Sequence, residues 1–167
     1  ETAPEAPVVK IANVSSSGKP KLTWEKVEGA AKYKVYRATS KTGTYSLLKT
    51  TTGTSLTNTS TTAGTQYYYY VIAVGENGLE SAKSSIVSCT CDLPRPVVKV
   101  TNLASSGKIK LTWEKVEGAK SYSVYRSTDG GKTYRFLKTL TGTSFTNTST
   151  TAGDTYHYKV KANHSNE

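Results

Sequence analysis

Apolar and polar residues alternate with a period of two along much of this chain, whereas the stretch 66–74, Gln-Tyr-Tyr-Tyr-Tyr-Val-Ile-Ala-Val, is apolar on both of its faces. Aromatic and β-branched side chains suit a pleated surface, so this stretch predicts a long strand. Tyr67, Tyr69, Val71 and Ala73 then share one face, and Tyr68, Tyr70, Ile72 and Val74 share the other. A second copy, residues 155–163, decides which face is the core. There Tyr156, Tyr158, Val160 and Ala162 repeat the first face, while His157, Lys159, Lys161 and Asn163 occupy the second. Polar groups enter a core only with partners. The Tyr156 and Tyr67 faces are therefore expected inside, and the apolar Tyr68 face is expected in solvent.

The remaining pattern is a series of similar short segments. Strands are predicted at 8–14, 19–25, 32–38, 45–50, 55–58, 66–74 and 84–91, separated by Gly, Asn, Ser and Thr clusters. Asn77-Gly78 is a hairpin signal between the last two. No helical period occurs, and seven strands at this spacing predict a two-sheet β-sandwich. The whole set recurs at an offset of 89 residues: Trp24 returns as Trp113, Tyr33 as Tyr122 and Tyr67 as Tyr156. Roughly two thirds of aligned positions are identical, which marks a tandem array. Two domains are expected, 1–92 and 93–167. Residues 1–6 align with the end of the first copy, so the array is expected to continue upstream. The second copy stops where its last strand would begin, so a truncated second sandwich and a longer natural chain are expected. Leu93-Pro-Arg-Pro96 reads as a short, stiff connector.

Each copy resembles a fibronectin type III domain. The resemblance is carried by Pro7, Leu22-Thr-Trp24, Tyr33-Lys-Val-Tyr-Arg37 and Gly64-Thr-Gln-Tyr67, and again by Pro96, Leu111-Thr-Trp113, Tyr122-Ser-Val-Tyr-Arg126 and Gly153-Asp-Thr-Tyr156. It implies an all-β, immunoglobulin-like fold with two tandem seven-stranded sandwiches, the second lacking its last strand. It also implies that Trp24 and Trp113 are central core residues and that Tyr67 and Tyr156 form tyrosine corners. Ala63 and Ala152 stand where the family usually has proline. The Lys/Thr-rich wording resembles repeats of bacterial surface and secreted proteins.

Composition narrows the function more than it names one. The net charge is +10, and it is uneven: 10 basic against 7 acidic residues in 1–92, and 12 against 5 in 93–167. Lysines on outward strand positions keep exposed sheets from pairing, which accounts for much of this. No Lys/Arg block interleaved with aromatics occurs, so nucleic acid is not an expected partner. No apolar run has the length of a membrane span. The first residues lack the regions of a signal peptide, which suggests a removed leader or a segment of a longer protein.

Candidate chemistry is sparse. Cys89 and Cys91 are two apart in a predicted strand, at the upper limit of disulfide geometry, and read as free thiols. His157 and His164 are isolated, and Glu25, Glu28, Glu114 and Glu117 read as solvated loop carboxylates without a cleft. Four Asn-X-Ser sequences, at Asn13, Asn58, Asn147 and Asn163, match the glycosylation pattern. No catalytic or metal-ligating set and no need for a cofactor emerges. The chain is expected to be a non-catalytic spacer or presentation module, extracellular, with other domains of the same chain as its partners. The competing reading is a module that binds a surface protein or glycan through Tyr36, Tyr68, Tyr70 and Ile72, side chains that strand register puts together on an outward face.

Overall fold

The computed structural model describes residues 2–164. The chain divides into two compact units, Glu1–Asp92 and Leu93–Glu167. In the first, β1 (Val9–Asn13), β2 (Pro20–Trp24) and β5 (Ser55–Thr57) form one antiparallel sheet in the order β1-β2-β5. The strands β3 (Ala30–Ala38), β4 (Ser46–Thr51), β6 (Gln66–Gly75) and β7 (Val87–Thr90) form the other, in the order β4-β3-β6-β7. In the second unit β8 (Val98–Leu103), β9 (Lys108–Trp113) and β12 (Ser144–Asn147) form the sheet β8-β9-β12. Its other sheet, β11-β10-β13, comprises β10 (Ser121–Ser127), β11 (Arg135–Leu140) and β13 (His157–Asn163). The described residues are all-β and contain no helix, hence none long and apolar enough to cross a membrane.

Period-two patterning builds the core directly. Leu22 and Trp24 point inward from β2 and meet Tyr33 and Val35 of β3 and Tyr67, Tyr69, Val71 and Ala73 of β6. Trp24 and Trp113 are each 6% exposed. Each indole meets a tyrosine edge-on across the sandwich, Trp24 with Tyr33 and Trp113 with Tyr122, both at 5.4 Å between centroids. A bulge falls at the same place in both units, between Val35 and Tyr36 and between Val124 and Tyr125. Such repetition marks the bulge as a feature of the fold.

Three expectations need correction. The last strand of the first unit covers only Val87–Thr90, not 84–91. The preceding segment still closes the edge of β6, but with side chains. Ser81 and Ser84 each give a backbone N–H to β6, to Ala73 O at 2.8 Å and Val71 O at 2.9 Å. Their hydroxyls accept the N–H groups of Ala73 and Val71, both at 2.9 Å. A hydroxyl at every third residue thus does the work of a ladder, and no alternating pattern announces it.

The face of β6 opposite the core is also less open than its composition suggested. Tyr70 is 8% exposed, Ile72 9% and Val74 3%. Neighbouring strands cover it sideways: the ring of Tyr36 on β3 and that of Tyr45 before β4 close over Tyr70. Ile72 lies opposite Lys34, whose chain extends to Glu80.

In the second unit Tyr156, Tyr158 and Val160 are half-buried, where Tyr67, Tyr69 and Val71 are buried in the first. β7 flanks β6 and Cys91 plugs that end of the core, whereas among the described residues β13 pairs with β10 alone. The part of the second copy that would hold an equivalent of β7 lies outside the described residues.

The serine edge gives a direct test. In Ser84→Ala the buried Val71 N–H loses its acceptor, and unfolding free energy should fall by about 1–3 kcal/mol in urea titration. Ser85→Ala, which removes no hydroxyl from the edge of β6, should leave the midpoint in place.

Candidate functional site

The aromatic face of the first unit is built by register. Tyr36 on β3 sits directly opposite Tyr70 on β6. Their rings stack at 4.8 Å with 20° between planes, and Tyr45 closes the other side of Tyr70 at 4.9 Å. The Lys83 ammonium lies 5.0 Å from the Tyr70 centroid. Tyr36, Tyr45 and Tyr68 are half-buried, and the exposed apolar residue beside them is Leu47, 52% accessible. The rings therefore spend their faces on one another and on a cation. A sugar or a flat protein surface binds to ring faces, and the Tyr70 ring already has Tyr36, Tyr45 and Lys83 against it. Of Tyr36, Tyr68, Tyr70 and Ile72, the structure brings Tyr36 and Tyr70 together, leaves Tyr68 partly accessible and buries Ile72. This cluster stiffens the sheet through cross-strand packing, at roughly 0.2–1 kcal/mol per pair. Tyr45 was the residue the sequence reading omitted. It heads the strand predicted at 45–50 but precedes the observed β4, Ser46–Thr51.

The second unit keeps the frame and changes the filling. Tyr125 and Tyr134 stand where Tyr36 and Tyr45 do, and Lys159 replaces Tyr70. The Lys159 ammonium lies 4.2 Å from the Tyr134 centroid and 5.7 Å from that of Tyr125. Phe136, at 56% accessibility, meets Tyr125 edge-on at 5.7 Å.

The corner tyrosines hold the loop ahead of strand six of each sandwich. Thr62 N–H donates to Tyr67 Oη at 2.9 Å, and Thr151 N–H donates to Tyr156 Oη at 2.8 Å. Arg37 and Arg126 lie over these rings at 5.3 and 5.1 Å. Beside them, Asn58 Nδ2 donates to Tyr69 Oη at 2.7 Å, and Asn147 Nδ2 donates to Tyr158 Oη at 2.9 Å. Asn58 and Asn147 are each 2% exposed with their amides engaged. Neither can accept a glycan, so those two sequence matches are structural residues. Asn163 is buried as well and donates to Ser123 Oγ at 2.8 Å.

The remaining candidates resolve into structure or open surface. Cys89 and Cys91 are free thiols. Cys91 is 1% exposed and lies 3.0 Å from Thr61 Oγ1, fastening the end of β7 to the loop of the corner. Glu25 and Glu28, read as loop carboxylates without a cleft, do border an open groove of about 680 Å³ between residues 2–8 and the loop 25–29. Among the described residues no hydrogen bond or ion pair joins them to a partner that could act as acid or base. Among the described residues no group of three His, Cys, Asp or Glu could hold a metal ion. Asp129, in the β10–β11 turn, accepts hydrogen bonds from the Ser127 and Thr133 hydroxyls and from the Thr133 and Lys132 N–H groups. These donors hold its carboxyl well below the usual carboxylate range. It is a turn clasp whose lone pairs are occupied.

Sheet order, edge-on tryptophan and corner tyrosine form one arrangement, seen twice. An Fn3-like protein from Clostridium thermocellum is 37% identical to this chain, with a TM-score of 0.48, over 52% of this chain and 92% of that one. Both units are fibronectin type III-like. A second solved structure, described as FN3tt mut, is 29% identical with a TM-score of 0.49, over 55% of this chain and 99% of that one. Among curated proteins, an amylopullulanase of Thermoanaerobacter thermohydrosulfuricus is 40% identical over 87 residues, 52% of this chain and 6% of that enzyme. Exoglucanase B of Cellulomonas fimi is 33% identical over 180 residues, 96% of this chain and 15% of that enzyme. The chain thus spans only a small part of these relatives, and its units match segments of larger bacterial glycoside hydrolases. No family model matches the chain.

Two measurements test the tyrosine assignments. Tyr67→Phe removes the acceptor of the Thr62 N–H and should cost about 1 kcal/mol in chemical denaturation. Burial, partly offset by the Asn58 hydrogen bond, pushes the Tyr69 hydroxyl up to about 12 from the ordinary 10.0. The folded state then holds a proton that the unfolded state releases above pH 10. Stability contributed by neutral Tyr69 is complete below pH 10 and lost as pH rises toward 12. Tyr69→Phe should flatten that alkaline loss, read as urea midpoints between pH 9 and about 11.5.

Proposed function

We propose that these two modules are non-catalytic spacers within a longer, secreted bacterial protein that acts on polysaccharide, holding its other domains at a distance from one another or from a surface. The observation that carries this reading is the alignment of 96% of the chain, through both units, with a 15% segment of an exoglucanase. Fold alone does not fix function, so the residues matter as well. The side chains that could have made a site are engaged inside the modules: stacked tyrosines, corner hydroxyls, clasped asparagines and plugged thiols. The partners on this reading are the other domains of the same chain, and its place is outside the cell.

The test uses the 167-residue protein with amylopectin and cellulose. It should release no reducing sugar from either polymer and should not be retained on either. Retention that Tyr36→Ala with Tyr68→Ala removes, in a variant that stays folded, would replace the spacer with a glucan-binding module using the aromatic face.

A further inference from the structure

The strands of both units contain no aspartate or glutamate. The described carboxylates lie in turns, loops and terminal segments, while basic residues occupy most strands, though not β5, β6, β7 or β12. Lysines stand among threonines on the outer faces of the sheets β1-β2-β5 and β8-β9-β12. In the second unit Lys99 pairs with Thr112 and Thr101 with Lys110. On the other side of β9, Lys110 pairs with Thr146 and Thr112 with Ser144. Lys108 lies two residues before Lys110 and shares its face. The three lysines are exposed, and Leu111 and Trp113 point the other way into the core. The first unit repeats the pattern: Lys10 pairs with Thr23, Lys21 with Thr57 and Thr23 with Ser55.

Edge protection accounts for Lys10 and Lys99, on the edge strands β1 and β8, but not for Lys21, Lys108 and Lys110. β2 and β9 are the central strands of their sheets, with both edges paired. A lysine there guards no open ladder. Ion pairing does not explain it either. Among the described residues the salt bridge present is Lys34–Glu80, on a different sheet.

We propose that these faces dock an acidic polysaccharide, a polymer that carries carboxylates among hydroxyls. The lysines supply the complementary charge, and the rows of Thr and Ser offer donors and acceptors to sugar hydroxyls. Outward positions of these strands carry no aromatic ring, so the bases of a nucleic acid would find nothing to stack on. The proposal goes beyond the spacer role. A spacer without this face remains a spacer, and retention on an acidic polymer says nothing about neutral glucans.

The experiment measures binding of the 167-residue protein to immobilised polygalacturonate at about 50 mM salt, where exposed charges are weakly screened. Binding is expected, with none to dextran. Changing Lys10, Lys21, Lys99, Lys108 and Lys110 together to Glu should weaken it by about tenfold or more, as expected when several cations leave a polyanion contact. Loop lysines Lys26, Lys41, Lys115, Lys120 and Lys132 changed to Glu give the same net charge and should bind nearly as the parent does. Tryptophan fluorescence checks the fold. If the strand set does not fold, Lys→Gln at the same five positions is read in its place. No binding to polygalacturonate, an equal loss in the loop set, or tighter binding to single-stranded DNA would each overturn the proposal.

Discussion

Everything in each module is arranged around one edge-on contact, that of an indole with a phenol across the sandwich. Trp24 comes from the middle of one sheet and Tyr33 from the middle strand pair of the other, so their meeting fixes the distance and tilt between layers. The tyrosine then reaches out of the core, and its hydroxyl accepts the N–H of Val27 at 2.8 Å, fixing the loop that leads into β3. Trp113, Tyr122 and Val116 repeat this, with the hydrogen bond at 2.9 Å. One contact thus sets both packing and chain path. The indole nitrogens of Trp24 and Trp113 are buried without an acceptor. An orphaned donor costs about 1–3 kcal/mol. Burying a ring of that size returns more than this, since removing such a side chain typically costs about 3–5 kcal/mol.

The fold was legible because it rests on a period of two read twice. The second copy told which side of β6 faces inward, since Lys159 and Lys161 could not share a core with Val160. The lateral cover of Tyr70 was not legible. Alternation assigns a side chain to a face but says nothing of what stands beside it, and one of its covers, Tyr45, lies just ahead of β4. The serine edge was hidden for a related reason. Ser81 and Ser84 act through hydroxyls on a segment outside the strand, and alternation placed Ser84 at the start of a strand and Ser81 in a loop. The roles of Asn58 and Asn147 were masked by a sequence pattern with a different meaning. In each of these cases the missing information was a long-range partner.

The two copies also serve as a comparison within one molecule. Their core residues are nearly the same, while the outer faces of the sheets that hold β6 and β13 have diverged. The clamp made by Tyr36 and Tyr45 holds a phenol ring, and the clamp made by Tyr125 and Tyr134 holds an ammonium. Both fillings are favourable against a π face. Part of the charge difference between the units therefore sits at positions where the packing accepts it.

That divergence bears on how two such similar units fold side by side. Neighbouring repeats with like sequences are prone to trade strands and trap a misassembled pair. Here β6 and β13 are the equivalent strands of the two units, each paired along its length with β3 or β10. At one register position β6 sets Ile72 opposite Lys34, and β13 sets Lys161 opposite Ser123. Were β13 to enter the first unit, Lys161 would face Lys34, and like charges directly opposite destabilise a strand pair. The swap of a lysine from one strand to its neighbour leaves each native pairing free of that conflict and places it in the wrong one. A single pair of positions thus helps the first unit to reject the strand of the second.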